Sequence, residues 1–355
     1  MKLPRDGSAA AGIVAAVAVA YANALTAGFQ FDDWDVIVDQ PRVHSLAAWW
    51  GSMPGIRPLL KLSYALTYTI SPGAVFFHLV NVAIHATNAC LVFALLAKRA
   101  PRAVALTAAL IFALHPAQTE AVTYVTGRSC SLSALFVLLS LHVLDGLSPA
   151  FFACALMVKE TAVMAGVAIF VRKRGVSPLL VVAGAAVVAL ASPVYRHLLA
   201  VSLHTRDIGT NLMTQAHAVV YLMGQLVRFD RLNADPKLPV IEAWSLAVAG
   251  DAVLIVSLVA LGFALLQKHP EVGYGILWFF LWLLPTNSFL PRLDVANDRQ
   301  LYLALAGPAL LVAYGMSAVA KRRAGAFVVL VVLLCAGLAA ATHQRNRAYA
   351  DEITF

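Results

Sequence analysis

The sequence predicts an all-α polytopic membrane protein, and three observations carry that expectation. Hydrophobic residues make up 61% of the 355 and charged residues 12%, against a soluble norm of roughly 50% and 25%. The apolar residues gather in long blocks, clearest at 9–27, 246–266 and 326–341. Blocks near ~20 residues match a hydrocarbon core about 30 Å thick, and backbone groups cannot stay unpaired at that depth, so the blocks are expected to be helices. The basic residues fall between the blocks, as Lys98-Arg99 with Arg102, Arg172-Lys173-Arg174 and Lys321-Arg322-Arg323. Such clusters mark the cytoplasmic side, so the net charge of +8 is explained by topology and calls for no nucleic acid.

In chain order, Lys2 and Arg5 hold the N-terminus inside. The first block is read as a retained span, because no small-residue cleavage site precedes its acidic exit. It delivers Gln30-Phe31-Asp32-Asp33-Trp34-Asp35 to the outside. Residues 28–74 form the first extracytoplasmic loop. Trp34, Trp49, Trp50, Tyr64 and Tyr68 are spread through it, ring types that settle at a membrane surface. Its last part, 58–70, is expected to be an interfacial helix. The second span, 75–97, carries His78, Asn81, His85 and Asn88 at three- and four-residue steps, which puts them on one face. That stripe either hydrogen-bonds to other helices or lines a wet cavity.

Residues 106–114 then lead outward to His115-Pro116, and 132–144 is the next apolar run. Counting crossings between the basic clusters leaves zero or two for 149–171. A short hairpin with Lys159-Glu160 near its turn meets that count, the two forming a neutralising pair or meeting a phosphate or carboxylate partner. Residues 176–191 return outward. Residues 213–227 are expected to be re-entrant or interfacial, and 246–266 to span, with Asp251 about one turn in, as a helix-start residue. Residues 273–284 lead to the 287–292 loop, 301–320 return, and the last span ends in a tail with Arg345, Arg347, Asp351 and Glu352. The whole of 1–355 reads as one transmembrane domain of about ten or eleven spans, with no soluble C-terminal domain. Cys90, Cys130, Cys154 and Cys335 lie in or beside apolar runs and read as small buried hydrophobes.

This topology collects Asp32, Asp33, Arg57, His115, Glu120, Arg128, Arg206, Arg292, Asp298 and Arg299 on the outer face, where Lys159 and Glu160 can join them. A carboxylate there can take a proton from an attacking hydroxyl. Cationic forks can hold a departing phosphate. Together they suit sugar transfer from a lipid-linked phosphate. A transporter with a wet cavity and broken helices is the main alternative, and a non-catalytic scaffold a second. Against transport, the charges gather at one face, whereas alternating access places key groups near the midplane. A Gly-rich phosphate loop and an HExxH zinc motif are both missing from the sequence. Asp32, Asp33 and Asp35 could hold Mg²⁺ or Mn²⁺, but Arg and Lys can neutralise a phosphate alone, and a metal-independent site is expected.

The sequence also resembles the membrane portion of the transmembrane and tetratricopeptide-repeat O-mannosyltransferases and their bacterial relatives, in the GT-C class. The resembling stretches are Phe31-Asp32-Asp33, Arg57-Pro58-Leu59, Phe77-His78-Leu79-Val80-Asn81 with His85, and His115-Pro116-x-x-Thr119-Glu120-Ala121-Val122 running to Gly127-Arg128-Ser129. Lys159-Glu160, Thr214-Gln215, Asn287 to Pro291, and Asp298-Arg299-x-x-Tyr302-Leu303 continue the series. The resemblance implies a GT-C fold with an extracytoplasmic site. It also implies a polyprenyl-phosphate monosaccharide donor, mannose by default, and inversion at the anomeric carbon. It implies Asp32 as the base with Asp33 the near rival, and Glu120 orienting acceptor or base. Arg57, Lys159 and Arg299 would hold the donor phosphate. His78, His85, His115, Arg128, Glu160, Arg292, Asp298 and Tyr302 would shape the cavity or the acceptor site. Two departures stand out. Ser129-Cys130-Ser131 occupies a block where an acidic residue is common, and the helical repeats that normally follow in the family are not in this sequence. The acceptor is thus left open among protein, lipid and glycan. The Ala/Val-rich composition suggests a bacterial inner membrane.

Overall fold

The computed structural model describes residues 7–52, 55–143, 146–173, 175–233, 235–320 and 323–350. Lys2, Arg5, Arg174, Lys321, Arg322, Asp351 and Glu352, which entered the topology above, lie outside the described residues, as does the Lys173 side chain. The described residues form helices and connecting loops, with no strand among them. The chain is an all-α polytopic membrane protein.

Helix α1 (Gly7–Ala20) buries Ile13 and Val17 against the bundle. The first loop then folds back on itself. A π-helical turn (Trp34–Val38), a 3-10 turn (Pro41–Val43) and α2 (Leu46–Gly51) lead to α3 (Pro58–Ile70). Ser45 caps α2 by accepting the Ala48 N–H at 3.1 Å, and Pro58 opens α3, where a missing N–H leaves no bond unmade. The helix expected at 58–70 thus forms with the expected bounds. Ile37, Val43, Leu60 and Tyr64 share one small core with Phe77, Val125, Leu132 and Val158 from outside the loop, so the loop is a packed element and not a solvated strap.

Helix α4 (Ala74–Leu96) is the central span. It packs on α5 (Arg102–Leu114) and on α7 (Arg128–His142), with short α6 (Thr119–Val122) between those two. Helix α8 (Ser148–Val158), a 3-10 turn (Glu160–Met164) and α9 (Ala165–Lys173) follow in succession, with Lys159 and Glu160 at the break after α8. Helix α10 (Ser177–Ala191) bends by 89° into α11 (Pro193–Thr205). Residues 208–225 form one unbroken helix, α12 (Ile208–Gln225), capped by Asp207, whose carboxylate accepts the Thr210 N–H at 3.0 Å. It packs on α13 (Leu246–Leu265), which packs on α14 (Pro270–Leu283). Short α15 (Leu301–Ala304), together with the 3-10 turn before it, meets α16 (Ala306–Val319) at 60°, and α17 (Ala324–Asn346) closes the bundle against α1 and α5.

Among the described residues three helices are long and apolar enough to cross a membrane: Ala74–Leu96, Leu246–Leu265 and Ala324–Tyr349. The two bent pairs, α10–α11 and α15–α16, add broken spans or re-entrant loops, and α1, α5, α7 and α8 are shorter apolar helices. The expectation was ten or eleven spans; by length and composition the described residues hold three such helices, or up to five if each bent pair is one span. The structure breaks several of the apolar runs near polar turns, and these turns build the candidate site.

Candidate active site

Backbone geometry divides the acidic pair. Phe31 adopts a left-handed φ of 43°, which a non-glycine residue holds only when its surroundings dictate it. On one side of this kink Asp33 is buried, with Oδ1 accepting the Thr126 N–H at 2.8 Å and Oδ2 the Gln30 N–H at 3.0 Å. Burial pushes its carboxyl up to about 7, against the downward pull of those two N–H groups. Asp33 therefore staples the first loop to the α6–α7 connection. Asp32 is exposed, and its N–H donates to the Tyr124 hydroxyl at 3.1 Å. Of the two, Asp32 alone has its carboxylate open to an incoming hydroxyl.

A second left-handed residue, Arg57 at φ 52°, caps α3. Its guanidinium grips Glu160 with both arms, Nε to Oε2 at 3.0 Å and Nη2 to Oε1 at 2.5 Å. Burial alone would raise the Glu160 carboxyl, but these bonds and the Arg57 charge bring it down to about 2. Glu160 thus pairs with Arg57 and not with its neighbour Lys159. The Lys159 ammonium instead meets the Cys130 sulfur at 2.8 Å. Burial lowers the Lys159 pKa, which the Cys130 thiol opposes and the nearby Arg299 and Arg57 charges reinforce. Cys130, expected as an inert small hydrophobe, is the partner of a cation. It stands in the block where the resemblance led one to expect an acid.

Glu120 is buried and serves Arg299 twice. Oε2 accepts the Arg299 backbone N–H at 2.7 Å, and Oε1 lies 3.3 Å from Nε. Burial raises its carboxyl to about 6, against the Arg299 charge. Asp294 adds a looser contact to Arg299 at 3.8 Å. Lys159 and Arg299 share the wall of a cavity of about 60 Å³ with Cys130, Ser133, Trp282 and Gln300. Arg292 sits within electrostatic reach of Arg299, Arg57 and Cys130, and its pKa is lowered by burial and by the Arg299 and Arg57 charges, against the upward pull of Asp294 and Cys130. Its carbonyl is latched by Arg206 Nη2 at 2.8 Å, which ties the 285–297 loop to the α11–α12 corner.

The other expected cavity residues serve the framework. His78 bonds the Ala27 carbonyl at 3.1 Å, and Asn81 donates to the carbonyls of Val122 and Val125 at 3.1 and 3.2 Å. His85 donates from Nε2 to the Ala113 carbonyl at 2.9 Å, so its Nδ1 accepts from the Tyr302 hydroxyl, also at 2.9 Å. Asn88 donates to the same hydroxyl and to the Ser131 carbonyl. The polar stripe of α4 is interhelical glue. Arg128 is fully buried and donates to Asn81, Thr67 and the carbonyls of Ser63 and Phe77, with its guanidinium against the Tyr64 and Phe77 rings. His115 caps the Pro116 turn and bonds the Leu226 carbonyl at 3.0 Å. Asp298 is buried and accepts from Gln225 at 3.3 Å. Tyr302 both anchors α4 and lines the cavity.

Both Asp33 oxygens accept backbone N–H groups, and among the described residues no group of three candidate metal ligands gathers. Sequence reasoning missed Tyr124, Cys130, Trp282 and Gln300 as site residues. None carries a motif, and only the folded chain brings them beside Arg299 and Lys159.

No family model matches the chain, and no solved structure does. Its curated relatives are O-mannosyl-transferases. The chain is 34% identical over 142 residues to "Protein O-mannosyl-transferase TMTC3" of Mus musculus, covering 36% of this chain and 15% of that protein. It is 35% identical over 161 residues to "Protein O-mannosyl-transferase TMTC4" of Homo sapiens, covering 36% and 22%. It is 34% identical over 191 residues to "Protein O-mannosyl-transferase Tmtc1" of Drosophila melanogaster, covering 45% and 22%. The matched segments span between about a seventh and about a fifth of those relatives' length.

Proposed function

We propose that the chain is a glycosyltransferase. It moves a monosaccharide, mannose in the first instance, from a polyprenyl-phosphate donor to a hydroxyl of a protein acceptor. The site faces the extracytoplasmic side of a bacterial inner membrane. One observation carries the reading: Lys159 and Arg299 line one cavity, with Arg57 and Arg292 close by, on the side of the bundle that also holds the Asp32 loop. The names of the curated relatives support the sugar and the acceptor class.

In this reading Asp32 accepts the proton of the acceptor hydroxyl as that oxygen attacks the anomeric carbon. The bond from that carbon to the phosphate oxygen breaks, its electron pair leaves with the phosphate, and the configuration inverts. Lys159, Arg299 and Arg57 stabilise the charge that grows on the phosphate. Glu120 keeps Arg299 in place through its backbone and its side chain, and Asp33 holds the loop that presents Asp32. Charge neutralisation is assigned to these cations without a metal.

The test uses purified protein in lipid nanodiscs, a panel of polyprenyl-phosphate monosaccharides, and acceptor polypeptides with envelope extract. Mass spectrometry follows free polyprenyl phosphate and glycosylated product, with and without a chelator. Both products from the intact protein, lost in Asp32→Asn, are expected. Donor that stays intact across the panel rejects the transferase.

A further inference from the structure

Beyond the cations, the cavity wall carries polar atoms that the fold leaves unmatched. Among the described residues neither the amide oxygen nor the amide nitrogen of Gln300 meets a hydrogen-bond partner, and the indole N–H of Trp282 meets none either. All three atoms are buried, and both residues line the same cavity as Lys159 and Arg299. A buried polar atom without a partner is disfavoured, so three on one wall point to a ligand that supplies the missing bonds.

The chemistry of these atoms selects the ligand. Lys159, Arg299, the Gln300 amide nitrogen and the Trp282 indole only donate. A phosphate, which only accepts, can satisfy Lys159 and Arg299, and leaves the two neutral donors to whatever group lies beside it. The Gln300 amide oxygen only accepts, and it needs an O–H or N–H. A ligand that answers the whole wall offers an anion beside the cations and, next to it, groups that both donate and accept. Adjacent hydroxyls on a sugar ring have that property, and a side-chain amide can bond such a pair with its oxygen and its nitrogen at once. The cavity, at about 60 Å³, suits the polar edge of one ring and not an extended glycan.

We infer that Gln300 and Trp282 form the sugar-recognition subsite, with the Gln300 amide reading a pair of neighbouring hydroxyls on the donor monosaccharide. This inference rests on the transferase reading above. It adds that the sugar is selected on the inner side of Arg299 and Lys159, by neutral groups outside the catalytic machinery.

The test is a binding comparison in nanodiscs by native mass spectrometry. The probes are polyprenyl-phosphate mannose, polyprenyl-phosphate glucose and bare polyprenyl phosphate of the same chain length. Wild type is expected to hold one of the two sugar lipids at least about tenfold more tightly than the bare lipid, as a site built to bond hydroxyls should. Gln300→Leu is expected to bring that preference to within about twofold, and Trp282→Phe to weaken it, while affinity for the bare lipid is unchanged. The unchanged affinity also shows that the variants fold. Equal wild-type affinity for all three lipids overturns the subsite, as does a preference that survives Gln300→Leu, and both leave the transferase standing. Failure of wild type to bind any of the three overturns the subsite and the transferase together.

Discussion

Adjacent aspartates with opposite environments show how little residue identity says about role. Asp33 has both oxygens committed to backbone N–H groups, whereas Asp32 is exposed beside Tyr124. Asp32→Asn is therefore expected to leave thermal stability and lipid binding intact while turnover falls by about 10²–10⁴-fold, the usual contribution of a general base. Asp33→Ala leaves two buried N–H groups unmatched and should cost about 1–3 kcal/mol for each, read as a drop in the unfolding midpoint. Glu120 supplies a pH test. Its carboxyl is raised from its ordinary 4.5 to about 6, so the folded state binds the proton more tightly than the unfolded one. Its contribution to stability is full below about pH 4.5 and is lost as pH rises through about 6. Its side-chain grip on Arg299 strengthens over the same interval, because that contact needs the carboxylate. Donor KM should thus fall as pH rises through about 6 in the wild type, and a KM titration of Glu120→Gln should be flat there. The motif ranked Asp32 ahead of Asp33 as the candidate base, and that Asp33 is the buried one could be seen only from its two N–H partners.

At the level of elements, polar stripes and close approaches hold the broken helices in register. The face of α4 bearing His78, Asn81, His85 and Asn88 was legible from its spacing, and its alternatives were not resolvable there. Whether such a face meets water or carbonyls depends on what lies opposite, and here that is carbonyls at or just beyond helix ends, those of Ala27, Ala113, Val122 and Val125. Two glycines mark the tightest approaches. A Cβ on Gly127 would lie 2.1 Å from the Glu120 carbonyl oxygen, and one on Gly307 would lie 2.1 Å from the Gly275 carbonyl oxygen, where α14 crosses α16. Gly307→Ala should destabilise by about 1–3 kcal/mol by overpacking with donor KM little changed. Gly127→Ala should destabilise by a similar amount and also raise donor KM, because it displaces the backbone that carries Glu120. Thermal unfolding and steady-state kinetics on both variants separate the two effects. A break at Lys159-Glu160 within 149–171 was legible in the sequence. The neutralising Lys159-Glu160 pair, one of the two readings of those residues, does not form, because each found a partner from a distant element.

For the whole molecule, the first loop is tied to the break between α8 and α9 through Arg57 and Glu160 across 103 positions of sequence. The side chains are 34% and 52% exposed, so solvent screening limits the bond to about 0.2–1 kcal/mol of stability. A double-mutant cycle on Arg57→Ala and Glu160→Ala is expected to return a coupling in that range. Arg57→Ala alone should raise donor KM about tenfold or more, the effect of losing one charge-assisted contact to a phosphate. A coupling of several kcal/mol with unchanged KM would make the pair a structural clamp.

The sequence by itself determined the all-α membrane class, the bounds of the helix at 58–70, the polar face of the α4 helix and most of the charged residues that the candidate site brings together. These follow from composition, period and charge, which are local properties of the chain. Tertiary structure alone decided which aspartate is open, that Lys159 meets Cys130, that Glu160 belongs to Arg57, and that Gln300 and Trp282 share a cavity with two cations. Each of those outcomes depends on where the broken helices bring distant backbone and side chains together, and desolvation there changes what a charged or polar group must find as a partner.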